Sequence, residues 1–177
     1  MTRERIASLV TFIVGGVVLI LLSSTFDDAR SMLALTFGLL AALTFIGTIL
    51  DPHCELETRI ALHFLSAVAI VLCVLGMMVR SEWFTVDRYC IFFGIYGIIK
   101  GVVKIYEAIN IFKEKNKLAA LFLADSLFEV AIGIIMIIEL SSSLRLHVFL
   151  IGADAIYEGT IKFINEYLEE KKGIVDE

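Results

Sequence analysis

The sequence predicts an all-α integral membrane protein of six transmembrane helices, arranged as three helical hairpins with both termini cytoplasmic. Three observations lead there. Of 177 residues, 59% are apolar and the mean hydropathy is +0.89, whereas a soluble domain is nearer half apolar. The apolar residues cluster in runs almost free of charge, each long enough to cross about 30 Å of hydrocarbon. The lone Pro and scattered glycines suit helices, and the alternating segments of about 10 residues that mark a transmembrane barrel are missing.

Hydropathy windows place the spans at residues 6–23, 32–50, 60–79, 89–112, 118–140 and 146–168. The first follows Arg3 and Arg5, a pattern shared with signal peptides. Its apolar part is long for one, and the Ser-Thr-Phe-Asp exit is a poor cleavage site, so the span is expected to stay. The second ends at Asp51-Pro52, because the residue before Pro disfavours the helical region. Trp83 and Tyr89 flank the third and fourth spans and suit a membrane interface. All connections are short, so neighbours are antiparallel and no extramembrane domain fits between them. Residues 169–177 read as a charged cytoplasmic tail, and the chain is a single membrane domain over 1–177.

Orientation follows from the loop cations. With both termini inside, Arg3, Arg5, Arg59, Lys113, Lys115, Lys117, Lys171 and Lys172 are cytoplasmic, against Arg30, Arg80, Arg88 and Arg145 outside. Eight against four favours that topology.

An internal repeat underlies the spans. Gly94, Gly101 and Lys104 recur 58 residues later as Gly152, Gly159 and Lys162, and each segment ends in a charged tail. Span two matches more loosely through Gly38, with Thr44 and Thr48 at the charged positions. The unit is a hairpin, in copies at about 6–50, 60–112 and 118–168, related by an axis along the membrane normal. Gly94 with Gly101, and Gly152 with Gly159, share one helix face and are expected to allow close backbone approach. Ala67 and Ala69, or Gly15 and Gly16, are the expected opposing surfaces.

These glycine–lysine segments and the three-hairpin layout resemble the HdeD family of small prokaryotic membrane proteins associated with acid resistance. The resemblance is best over residues 89–172 and extends to the first half only in layout. It departs where Ser141-Ser-Ser stands in place of the Trp-Pro pair common in that family, and in the richness of buried charge. The resemblance implies a stress-related role in the plasma membrane (the cytoplasmic membrane of a prokaryote). It brings no catalytic residues.

The residues that carry chemistry are ionisable groups inside spans four to six: Lys100, Lys104 and Glu107, then Asp125 and Glu129, with Glu139 near a span end, then Asp154, Glu158 and Lys162. Steps of three and four put each set on one helix face. Facing lipid, each central charge would cost about 2.5–3.5 kcal/mol, so the stripes are expected to meet. Depth reckoning gives two layers, Lys100 with Glu129 and Glu158, and Asp125 with Lys104 and Lys162. Asp154 lies a step further out, level with Tyr96. Two uses follow. A structural ionic network would fix helix register within a scaffold or partner-binding protein. Alternatively, the charges line a proton or ion route, with Glu129 or Glu158 taking up a proton as the pH falls. A ligand or lipid-headgroup site is the third reading, and Lys113, Lys115 and Lys117 could meet anionic lipid.

Other chemistry is expected to be absent. Cys54, Cys73 and Cys90 read as free thiols. His53 beside Cys54 lacks the second pair a metal site needs, and His63 and His147 lie in different spans. There is no phosphate loop, nucleophile elbow or His-rich constellation, so no enzyme, cofactor or metal is expected. The net charge of −5, with dispersed basic residues, argues against nucleic acid. The expected partners are the bilayer and, left open, further copies of the chain or an unidentified protein.

Overall fold

The computed structural model describes residues 3–25, 28–50, 54–78, 85–113, 119–139 and 144–175. Pro52, His53, Trp83, Lys115, Lys117 and residues 141–143 lie outside them. The described chain is all-helical, with six helices: α1 (Arg3–Thr25), α2 (Ala29–Leu50), α3 (Leu56–Met78), α4 (Val86–Lys113), α5 (Ala119–Glu139) and α6 (Leu144–Val175). Four of them are long and apolar enough to cross a membrane, over Ser31–Leu50, Leu56–Leu75, Val86–Asn110 and Ala119–Ile138. α1 contributes a shorter apolar stretch, Ile6–Leu22. α6 falls outside this group because Asp154, Glu158 and Lys162 interrupt it.

All the helices but α5 begin earlier than hydropathy predicts, and capping explains two of the cases. Asp28 accepts hydrogen bonds from Ser31 N at 3.0 Å and Ser31 Oγ at 2.5 Å, so α2 starts at Ala29 and not at 32. Thr85 Oγ1 accepts from Arg88 N at 3.4 Å and starts α4 at Val86. Hydropathy detects what is apolar, whereas a helix starts where its first free N–H groups find acceptors. At the other end, α6 runs on to Val175, so most of the expected tail is helical.

The bundle is a closed ring in which each helix touches its sequence neighbours and α1 touches α6. The most intimate pairs are α1 with α6, α2 with α3, and α4 with α5. α2 also meets α4 and α6 across the centre. There Phe37 of α2 packs on Phe93 at 5.2 Å between ring centroids and edge-on to Tyr96 at 5.4 Å. Leu19, Leu33, Ala41, Met136 and Val148 complete this apolar core.

Glycine permits two of the close pairs. A Cβ on Gly152 would lie 2.7 Å from the carbonyl oxygen of Gly16, and one on Gly133 would lie 2.7 Å from that of Gly94. The Gly16–Gly152 approach is among the expected ones. Gly94 and Gly101, however, pack against α5, at Gly133 and at Val130 with the Ser126 carbonyl, and not against Ala67, Ala69 or α1. α4 lies closest to α5, so its small-residue face turns there. Gly159 faces the ring of Phe12. Hydroxyls inside the helices bond back to the preceding turn, as Thr36 does to Met32 O at 2.7 Å and Thr44 to Leu40 O at 3.0 Å.

Candidate ionic core

The charged stripes of α4, α5 and α6 meet in one cluster. Lys100, Lys104, Asp125, Glu129, Asp154 and Glu158 are each between 3% and 7% exposed. Lys100 Nζ donates to Glu129 Oε1 at 2.5 Å and to Glu158 Oε2 at 3.2 Å. Lys104 Nζ donates to Asp125 Oδ2 at 3.1 Å, Glu129 Oε1 at 2.8 Å and Glu158 Oε2 at 2.6 Å. An ammonium has three N–H donors, so Lys104 has a carboxylate oxygen for each. Lys162 pairs with Glu158 at 3.3 Å and sits 5.7 Å from the Phe12 ring centroid.

Two separate layers do not form, and the direction of side chains is the reason. Helical side chains lean toward the N-terminus of their own helix. Lys104 therefore leans toward the Lys100 level, while Glu129, on the antiparallel α5, leans the opposite way. The two meet between the layers, and Lys104 joins them. The same lean carries Lys162 to Glu158 and away from the Asp125 pairing expected for it. Asp125 pairs with Lys104 alone among the described residues.

Asp154 stands apart. It makes no hydrogen bond or ion pair with the described residues, and its Oδ1 is buried without a partner. Asp125 Oδ1 and Glu129 Oε2 are in the same condition. Asp154 lines a cavity of about 20 Å³ together with Tyr96, Lys100 and Glu129, room for about one water. A second cavity of about 20 Å³ lies across the cluster, between Lys104, Glu107, Asp125, Glu158 and Lys162. Tyr96 bridges the core to α2, donating from Oη to Thr44 Oγ1 at 2.9 Å. Sequence reasoning missed this link. The signal was present in the alignment of Thr44 with Lys100 across the repeat, which marks Thr44 as a core-facing polar position.

Three carboxylates, those of Asp125, Glu129 and Glu158, bring oxygens within 4.8 Å of one another, as a cation site would. Each of those groups also accepts from Lys104, whose ammonium takes the cation's place. All three cysteines are buried and outside any disulfide among the described residues. His63 packs against Phe45, with ring centroids 4.5 Å apart, and His147 is buried in α6. Glu107 is half-buried, and the side chain of Glu139 lies outside what the structure describes. Lys113 reaches Asn110 Oδ1 at 3.1 Å. Comparison of the chain with protein-family models, curated protein sequences and solved structures finds no match.

Proposed function

We propose that the chain is a six-span protein of the prokaryotic plasma membrane, similar to the HdeD family, serving as a stress-related scaffold clamped by its ionic core. The observation that carries this reading is the saturation of Lys104, whose three donors are taken by carboxylates from two other helices. Such a group is built to hold α4, α5 and α6 in one register. Inserting α1 and α6 is compatible with this arrangement, since the charges of α6 turn inward while Leu146, Phe149, Tyr157 and Ile164 remain on its outer surface. The close pairs α2–α3, α4–α5 and α6–α1 join one hairpin to the next, and their recurrence every two helices around the ring supports a three-copy arrangement about one axis. Both termini then face the cytoplasm, as the loop cations favour. The HdeD likeness itself rests on the glycine–lysine segments and the layout.

A second reading, a proton or ion route, is favoured by the small cavities on opposite sides of the cluster. Flux through liposomes separates the two. The scaffold reading expects wild-type vesicles to hold an imposed proton or K⁺ gradient as well as empty ones, and Lys104→Met to weaken the fold by about 3–5 kcal/mol. A wild-type leak abolished in folded Lys100→Met and Glu158→Gln variants would replace it with the route.

A further inference from the structure

We infer that Asp154 is a proton-binding site, carrying an exchangeable proton at neutral pH and presenting it to the cavity that it shares with Tyr96, Lys100 and Glu129. The inference rests on the ionic-core reading above and identifies what that core binds.

Charge balance is the first argument. The four buried carboxylates of Asp125, Glu129, Asp154 and Glu158 face two buried ammonium groups, Lys100 and Lys104, with the partly buried Lys162 on Glu158 and the partly buried Glu107 beside it, so negative charge is in excess. A buried excess charge is expensive and is relieved by binding one proton. Hydrogen bonding is the second. The buried orphan oxygens of this core, Asp125 Oδ1, Glu129 Oε2 and Asp154 Oδ1, are all acceptors. The core is short of donors, and a protonated carboxyl is a donor. Position is the third. Asp125, Glu129 and Glu158 each have an ammonium partner, and Asp154 has none among the described residues. The proton therefore belongs on Asp154. The adjoining cavity holds about one water, which can relay between Asp154 and Glu129 Oε2.

The groups around Asp154 are consistent with this. α4 offers Tyr96 and Lys100, and α5 offers Glu129 with Asp125 beyond it. α2 presents Leu40, and α1 meets this part of α6 through Gly16 and Ile20. Neither of those two helices adds a titratable group. On α6 itself, His147 lies two turns toward the N-terminus and Glu158 one turn the other way.

The test is infrared spectroscopy of the full chain in lipid vesicles at pH 7, with isotope-labelled aspartate. A carbonyl band of a protonated aspartic acid, shifted in heavy water, should appear in wild type and vanish in Asp154→Asn. Asparagine resembles the protonated acid in shape and charge, so that variant should fold. A wild-type chain without the band, or an Asp154→Asn chain that keeps it, overturns the inference. A bound metal cation in place of the proton would also erase the band. Unfolding equilibria in detergent provide a second readout. Between pH 7 and 5 the folded state would hold one proton that the unfolded aspartate lacks. The wild-type folding constant should then rise about tenfold per unit of falling pH relative to Asp154→Asn. Equal slopes overturn the inference. Carbonate extraction tests the membrane reading separately: a chain stripped from vesicles refutes that reading, and the Asp154 band is then sought in the same chain returned to pH 7.

Discussion

Replacing Lys104 by methionine removes the cation with the most partners and should be the most damaging single change in the core. The stem is nearly isosteric, so packing is kept and three carboxylates lose a donor together. Glu129 retains Lys100 at 2.5 Å, and Glu158 retains Lys100 at 3.2 Å and Lys162 at 3.3 Å. Asp125 retains no cation among the described residues, because its ion pair is with Lys104 at 3.1 Å. Stranding a buried charge in this way costs about 3–5 kcal/mol. Lys100→Met strands nothing comparable, since Glu129 and Glu158 both still contact Lys104, and it should cost clearly less. Pairing Lys104→Met with Asp125→Leu removes the stranded charge and should recover about half or more of the loss. The assay is equilibrium unfolding in mixed micelles followed by circular dichroism, for the single variants and the double-mutant cycle. Lys100→Met costing as much as Lys104→Met would refute this account of the cluster. So would a double variant no more stable than Lys104→Met.

Further outcomes follow from the packing and the topology. Gly133→Ala should destabilise by about 1–3 kcal/mol in the same unfolding assay, because its Cβ would press on the Gly94 carbonyl at 2.7 Å. Gly97→Ala should be neutral or slightly stabilising, since its nearest neighbours lie at 3.4 Å and alanine is the better helix former by about 0.8–1 kcal/mol. Tyr96→Phe deletes the bond to Thr44 and should cost about 0.5–1.5 kcal/mol, with little further loss when Thr44→Val is added. Reporter fusions at either end should be active only where the reporter works in the cytoplasm, and an externally active fusion would reverse the proposed topology.

Much of this arrangement can be read from the chain, and the exceptions have physical causes. Six apolar segments become six helices because hydropathy and helix formation coincide in long apolar runs, even where charges interrupt α4, α5 and α6. Their ends shift where Asp28 and Thr85 cap, since a cap is a local donor–acceptor event that an averaging window does not register. The steps of four that align Lys100 with Lys104 and Asp125 with Glu129 do bring those groups together. Depth reckoned from Cα positions then separates levels that lysine side chains readily bridge. Gly94 and Gly101 mark a packing face, yet a face does not name its partner. That choice depends on α4 lying closest to α5, with Gly133 opposite Gly94. Asp154 looks in sequence like one more member of a charged stripe, and only its neighbours in space reveal that it lacks a cation.

The pairing of α1 with α6 has a bearing on how such a chain is made. In a protein inserted as it leaves the ribosome, Lys100 emerges 29 residues before Glu129 and 58 before Glu158. Until those arrive, α4 carries two unneutralised ammonium groups, each disfavouring the hydrocarbon centre by about 2.5–3.5 kcal/mol. The nascent α4 would therefore settle shallowly, or wait beside the insertion machinery, until α5 and α6 reach it. The oldest helix must also wait for the youngest, because Gly16 finds Gly152 only near the end of synthesis. A chain cut short before α6 would leave both the stranded lysines and the uncovered flank of α1 open to membrane proteolysis.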